Sequence, residues 1–89
     1  MGFAGVIKLN VHFLARLRDV VGRPGVDLVL DEGTLSALRR SLESIVDSTA
    51  MERLFAENVR IAVNQTLWDG VALLVDGDEV AFLPPVTGG

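Results

Sequence analysis

Gly88 and Gly89 end the chain, and the carboxylate of Gly89 is the group in this sequence best suited to chemistry. Two glycines in succession carry no Cβ. Such an end can enter a passage too narrow for other residues and offer its carboxylate to another protein. Pro84 and Pro85 come just before; each locks φ and lacks a backbone donor, so a strand cannot continue through them. Residues 84–89, Pro84-Pro85-Val86-Thr87-Gly88-Gly89, are therefore expected to leave the fold as an extended tail. From Val86 to Gly89 it spans roughly 13 Å, at about 3.3 Å per extended residue. Fraying is the ordinary fate of a chain end; the residues before this one argue for a working part.

Other groups that could do chemistry are weaker candidates. His12 is the sole histidine and there is no cysteine. A zinc site would have to rest on carboxylates, and His12 reads better as a solvent-facing strand residue. Asp76-Gly77-Asp78-Glu79 lacks the ligand period of a calcium loop and reads as a tight acidic turn. Gly22-Arg23-Pro24-Gly25 has no Lys-Ser/Thr after it and is no phosphate loop. The absence of cysteine removes thiolate, thioester and persulfide chemistry from the chain itself. Nothing resembles a self-sufficient catalytic arrangement, so no activity is expected of the protein alone.

The tail has to be held by strands and helices, and their pattern is clear. Ile7, Leu9, Val11 and Phe13 alternate with Lys8, Asn10 and His12, the period of a half-buried strand. Residues 14–21 lose the alternation and Gly22–Gly25 turn the chain. Val26–Leu30 alternates again and is expected to pair antiparallel with the first strand. Thr34 is a suitable N-cap for a helix with Leu35, Leu38, Leu42 and Ile45 on one face and Arg39, Arg40 and Glu43 on the other. Thr49 to Glu52 fits a capping box opening a short second helix that includes Leu54 and Phe55. Val59–Val63 forms a third strand ending at Asn64-Gln65. Asp69-Gly70 and Asp76-Gly77 are turns, separated by a small element from Val71 to Val75, and Val80–Leu83 is the last strand. A hairpin, a helix and further strands make an α+β sheet with the main helix across one face. The first and last strands then lie side by side in the middle, pinning the root of the tail.

Composition narrows the class. Eighty-nine residues make a single domain, 1–89, and 49% hydrophobic residues supply its core. The mean hydropathy of +0.42 is high for a small soluble chain. No run approaches the roughly 20 apolar residues of a membrane helix, and the start suits neither a signal peptide nor a myristoylation motif. A cytoplasmic protein is expected. The net charge of −4 argues against nucleic acid as a partner. Because Phe82 and Leu83 point to opposite faces of a strand, at least one should join Pro84, Pro85 and Val86 in an exposed apolar patch. That patch is a candidate partner surface beside the tail.

Asp76-Gly77-Asp78-Glu79-Val80-Ala81-Phe82-Leu83-Pro84-Pro85-Val86-Thr87-Gly88-Gly89 closely resembles the C-terminal signature of the molybdopterin synthase small-subunit family, in the MoaD/ThiS group of ubiquitin-like sulfur carriers. Phe13-Leu14-Ala15-Arg16-Leu17-Arg18-Asp19 resembles the segment after that family's first strand, and Val59-Arg60-Ile61-Ala62-Val63-Asn64-Gln65 its third strand and turn. The likeness covers nearly the whole chain from Ile7. Three features depart from it: residues 1–6 extend the usual start, Leu83 replaces a frequent second aromatic, and Leu73-Leu74-Val75 is unusually apolar.

The resemblance implies a β-grasp (ubiquitin-like) fold with a mixed sheet. It implies that an adenylating enzyme, using ATP and magnesium, activates the Gly89 carboxylate, and that a persulfide sulfur donor converts it to a thiocarboxylate. Val86, Thr87 and Gly88 would enter the synthase large subunit, with Phe82, Leu83, Pro84 and Pro85 at the partner surface. The sulfur would pass to cyclic pyranopterin monophosphate in a heterotetramer of two small and two large subunits. No cofactor or metal is expected to stay on the carrier. Two alternatives share the first step: a ubiquitin-like modifier joined through Gly89 to lysines of other proteins, and the related carrier for thiamine thiazole synthesis.

Overall fold

A computed structural model provides the structure of the chain, and residues 6–85 are described. Eight elements follow one another: β1 (Ile7–Phe13), α1 (Arg16–Val21), β2 (Gly25–Leu30), α2 (Leu35–Glu43), α3 (Ser48–Leu54), β3 (Arg60–Val63), β4 (Thr66–Leu67) and β5 (Glu79–Leu83). The strands form one sheet in the order β2-β1-β5-β3-β4. β1 runs parallel to β5 and antiparallel to β2, while β3 is antiparallel to both β5 and β4. The first and last strands are therefore central neighbours. With α2 across one face, this mixed sheet is a β-grasp.

Alternation in the strands decides which face is covered. Leu9, Val11 and Phe13 of β1, Leu28 and Leu30 of β2, and Val80 and Phe82 of β5 are buried together with Leu38 and Leu42 of α2. Register aligns them: Leu9 lies opposite Leu28, Val11 opposite Val80, and Phe13 opposite Phe82. Lys8, Asn10 and His12 point to the other face. α2 begins as expected, with the Thr34 hydroxyl accepting from the Ala37 N–H at 3.1 Å. It is nine residues long and stable only because Ala37, Leu38 and Leu42 are buried.

Several local expectations require correction. Residues 14–21 are not a simple connection: Arg16–Val21 form α1, which closes on Gly22 at φ 93° with the Gly22 N–H bonded to the Arg18 carbonyl at 2.8 Å. Ile45 does not extend the apolar stripe of α2, because the helix stops at Glu43; Ile45 is exposed and Val46 is buried in its place. The third helix is capped by Asp47, whose carboxylate accepts from the Ala50 N–H at 2.8 Å, so it starts before the Thr49–Glu52 box. Asn64 and Gln65, at φ 50° and 72°, form the two-residue turn of the β3–β4 hairpin. Residues 71–75 form no strand. Asp69 accepts from the Val71 and Ala72 N–H groups at 2.8 and 3.0 Å, and the Trp68 indole donates to the Ala72 carbonyl.

The apolar run Leu73-Leu74-Val75 has a structural explanation at its middle residue. Leu74 is buried, and its N–H donates to the Gly33 carbonyl at 2.8 Å. A Cβ on Gly33 would lie 2.0 Å from the Leu74 carbonyl oxygen, so only glycine permits this approach. Leu73 and Val75 are exposed.

Candidate functional site

The tail departs from β5, the middle strand of the five. Asn10 to Phe13 pair along one edge of β5 and Arg60 to Val63 along the other. The Leu14 N–H donates to the Phe82 carbonyl at 3.1 Å, continuing the contact to the end of β1. A strand paired on both edges cannot shift its register without breaking both ladders. The point where the chain leaves the sheet, Leu83-Pro84, is thus fixed by the whole sheet.

A polar clamp holds the opposite end of β5. Asp78 is the buried polar residue here; its carboxylate accepts from the Asn64 amide at 2.8 Å and from the Val75 N–H at 2.9 Å. The Asn64 side-chain oxygen accepts in turn from the Glu79 N–H at 3.0 Å. Asp76 accepts from the Lys8 N–H at 2.8 Å, and Gly77 donates to the Lys8 carbonyl at 2.8 Å. The acidic run Asp76–Glu79 is therefore a tied turn, as its composition suggested. The role of Asn64 was not legible, because its partner lies fourteen positions away.

Phe82 corrects the expected partner surface. Its side chain is fully buried, with the ring 5.8 Å from Phe13 and 5.5 Å edge-on to Phe55. It belongs to the helix-covered face and contributes nothing to an exposed patch. Leu83 takes the other face, and Leu83, Pro84 and Pro85 are all half-buried. On that open face Leu83 lies opposite Arg60, and Ala81 lies between Ala62 and His12. His12 is half-buried there rather than fully solvated. Leu67, opposite Ala62, and Leu14, just beyond β1, are exposed apolar residues missed in the sequence. Neither lies in a segment with visible alternation: residues 14–21 lose it, and β4 is only two residues long.

Val86, Thr87, Gly88 and Gly89, the residues expected to enter a partner and carry the reactive carboxylate, lie outside the described residues. Among those described, no cluster of three or more His, Cys, Asp or Glu side chains could hold a metal ion. Among the described residues, the Asp69 carboxylate is held below its ordinary range, through the backbone N–H of Ala72 first and of Val71 second. It belongs to the 69–72 turn and is fully exposed. No helix of the described residues is long and apolar enough to cross a membrane.

Known proteins resemble this chain along nearly all of its length. The pattern of the ThiS family matches residues 11–89, which includes the terminal diglycine. The molybdopterin synthase sulfur carrier subunit of Escherichia coli (strain K12) is 42% identical over 81 residues, covering 91% of this chain and 99% of that one. Small archaeal modifier protein 3 of Haloferax volcanii is 35% identical, covering 93% and 100%. Among solved structures, a complex of subunits 1 and 2 of the molybdopterin-converting factor from Helicobacter pylori 26695 contains a chain that superposes with a TM-score of 0.62 at 25% identity, covering 93% of this chain and all of that one.

Proposed function

The chain belongs to the ThiS family, and we propose that it is the sulfur carrier subunit of a molybdopterin synthase. The single observation that carries this reading is the 42% identity, over almost the full length of both chains, to the Escherichia coli sulfur carrier subunit. A large subunit is its partner, in keeping with the two-subunit Helicobacter pylori complex. The finer assembly, two small and two large subunits, is part of the proposal, as is a cytoplasmic setting.

The chemistry resides at the Gly89 carboxylate. A carboxylate resists nucleophiles until one oxygen becomes a good leaving group. An adenylating enzyme with ATP and magnesium supplies that: the carboxylate oxygen attacks the α-phosphorus, pyrophosphate leaves, and an acyl-adenylate forms. The terminal sulfur of a persulfide donor then attacks the carbonyl carbon and expels AMP. A thiol cleaves the resulting acyl disulfide, leaving the thiocarboxylate on Gly89. Gly88, Thr87 and Val86 thread the tail into the large subunit, where the sulfur is transferred to cyclic pyranopterin monophosphate. Catalytic acids, bases and phosphate ligands are the partners' contribution; this chain supplies a rigid root and a thin end.

The test is the intact mass of the protein after incubation with ATP, the adenylating enzyme and a sulfur donor. One oxygen-for-sulfur exchange is expected, reversed when the large subunit and its pterin substrate are added. A residue added after Gly89, or Gly88→Trp, should abolish molybdopterin formation without unfolding the protein. Synthesis that persists with the added residue retained would end the terminal-carboxylate mechanism. The likeness to small archaeal modifier protein 3 favours a second reading, in which Gly89 forms isopeptide bonds with lysines of other proteins. Conjugate ladders without sulfur exchange would establish it, and exchange reversed by a thiazole precursor would assign the protein to thiamine synthesis.

A further inference from the structure

A small pocket of about 160 Å³ opens beside the root of the tail, between α1, the end of α3 and the two prolines. Leu17, Val59, Pro84 and Pro85 line it with apolar surface, and Arg16 and Arg53 are the charged residues of its lining. No carboxylate is among its described lining residues. In a chain with twelve acidic and eight basic residues, two cations on one small pocket without an acid is an unbalanced arrangement. Like charges in proximity repel unless an anion from outside joins them.

The local backbone adds an independent observation. Leu14 to Leu17 form a tight turn closed by the Leu17 N–H on the Leu14 carbonyl at 3.0 Å. Ala15 occupies its first central position at φ 50° and ψ −130°, a conformation that favours glycine. The turn places Arg16 at the first residue of α1, the end of a helix where the peptide dipoles disfavour a cation. Its charge therefore finds no favourable partner in the helix dipole. Both arginines are exposed, so each is free to meet another surface.

We propose that the Arg16–Arg53 pocket is a socket for an acidic side chain of the synthase large subunit, which locks the carrier in place once its tail has entered. The proposal rests on the reading of the chain as a carrier for that subunit. A protein that swallows the tail up to Pro85 must abut the residues around Pro85, and this pocket is among them. The guanidinium forks suit a carboxylate, and the apolar lining excludes water from the pair. Such a pair sets orientation and slows dissociation.

The experiment measures binding of the full-length carrier to its cognate large subunit by calorimetry, at low and at high salt. Arg16→Glu with Arg53→Glu is expected to weaken binding about tenfold or more at low salt, with a smaller difference at high salt. Arg40→Glu, the same substitution at a single position on α2 beside Val29 and Leu30, is expected to leave affinity unchanged. Thiocarboxylate formation by the adenylating enzyme should proceed normally in the double variant, which also shows that it is folded. Equal affinity of the double variant, or an equal loss in Arg40→Glu, would overturn the socket. A defect confined to thiocarboxylate formation would overturn it too and give the pocket to the adenylating enzyme. If the unaltered protein does not bind the large subunit at all, the carrier reading falls along with the socket.

Discussion

Phe82 sits between Phe13 and Phe55, with the guanidinium of Arg39 5.0 Å from the centre of the Phe55 ring. Truncating a fully buried aromatic removes transfer energy and leaves a cavity. Phe82→Ala should therefore cost about 3–5 kcal/mol in urea unfolding, and a cost below about 1 kcal/mol would contradict its central place in the core. Any loss of partner binding in that variant reports a damaged fold, since no atom of the ring is presented outward. Asp69 offers a test of a different kind. Two backbone N–H groups hold its carboxyl below the ordinary value of 3.8. A depressed folded pKa stabilises the native state at neutral pH, and that contribution is lost as pH falls through the folded value. In an NMR titration the Asp69 carboxyl should reach its midpoint below 3.8, and Asp69→Ala should remove the acid-linked loosening of residues 69–72. At this scale Thr34 was legible as a cap because capping is local in sequence. The burial of Phe82 was not, because its face depends on where α2 settles.

Among the elements, the loop between β4 and β5 is anchored to the start of α2 by the contact of Gly33 with Leu74. Gly33→Ala would drive a methyl group into the Leu74 carbonyl, and backbone cannot yield as a side chain can. A loss of about 2 kcal/mol or more is expected on denaturation, with faster amide exchange at Leu74. Unchanged stability would mean that the loop moves aside freely. β1, β2, β3 and β5 were readable in the sequence and α2 from its leucine spacing; β4, two residues long, was not. α1 was not, because six residues hold too little periodicity, and it stands by burying Leu17 and by its Gly22 cap. α3 was found, but its start was misplaced because Asp47 and Thr49 are both competent caps; the docking of Ala50, Met51 and Leu54 selects Asp47.

For the molecule as a whole, the core is complete by Phe82 and the sheet by Leu83, while the proposed chemistry lies beyond Pro85. Deleting residues 86–89 should leave the melting temperature almost unchanged and abolish both thiocarboxylate formation and molybdopterin synthesis. A large drop in stability would show that the tail supports the fold as well as the reaction. The sequence by itself determined the alternation of the strands, the apolar stripe of α2, the halt at Pro84-Pro85 and the bare diglycine end, because each depends on residue type and near neighbours. It also carried enough of the family signature to indicate the chemistry. Only the tertiary structure decided that Phe82 faces inward and Leu83 outward, that Asn64 and Asp78 tie β3 to β5, and that Arg16 and Arg53 line one pocket with Pro84 and Pro85. Those outcomes depend on contacts between residues far apart in the chain, which are fixed when β5 inserts between β1 and β3 and α2 covers one face of the sheet.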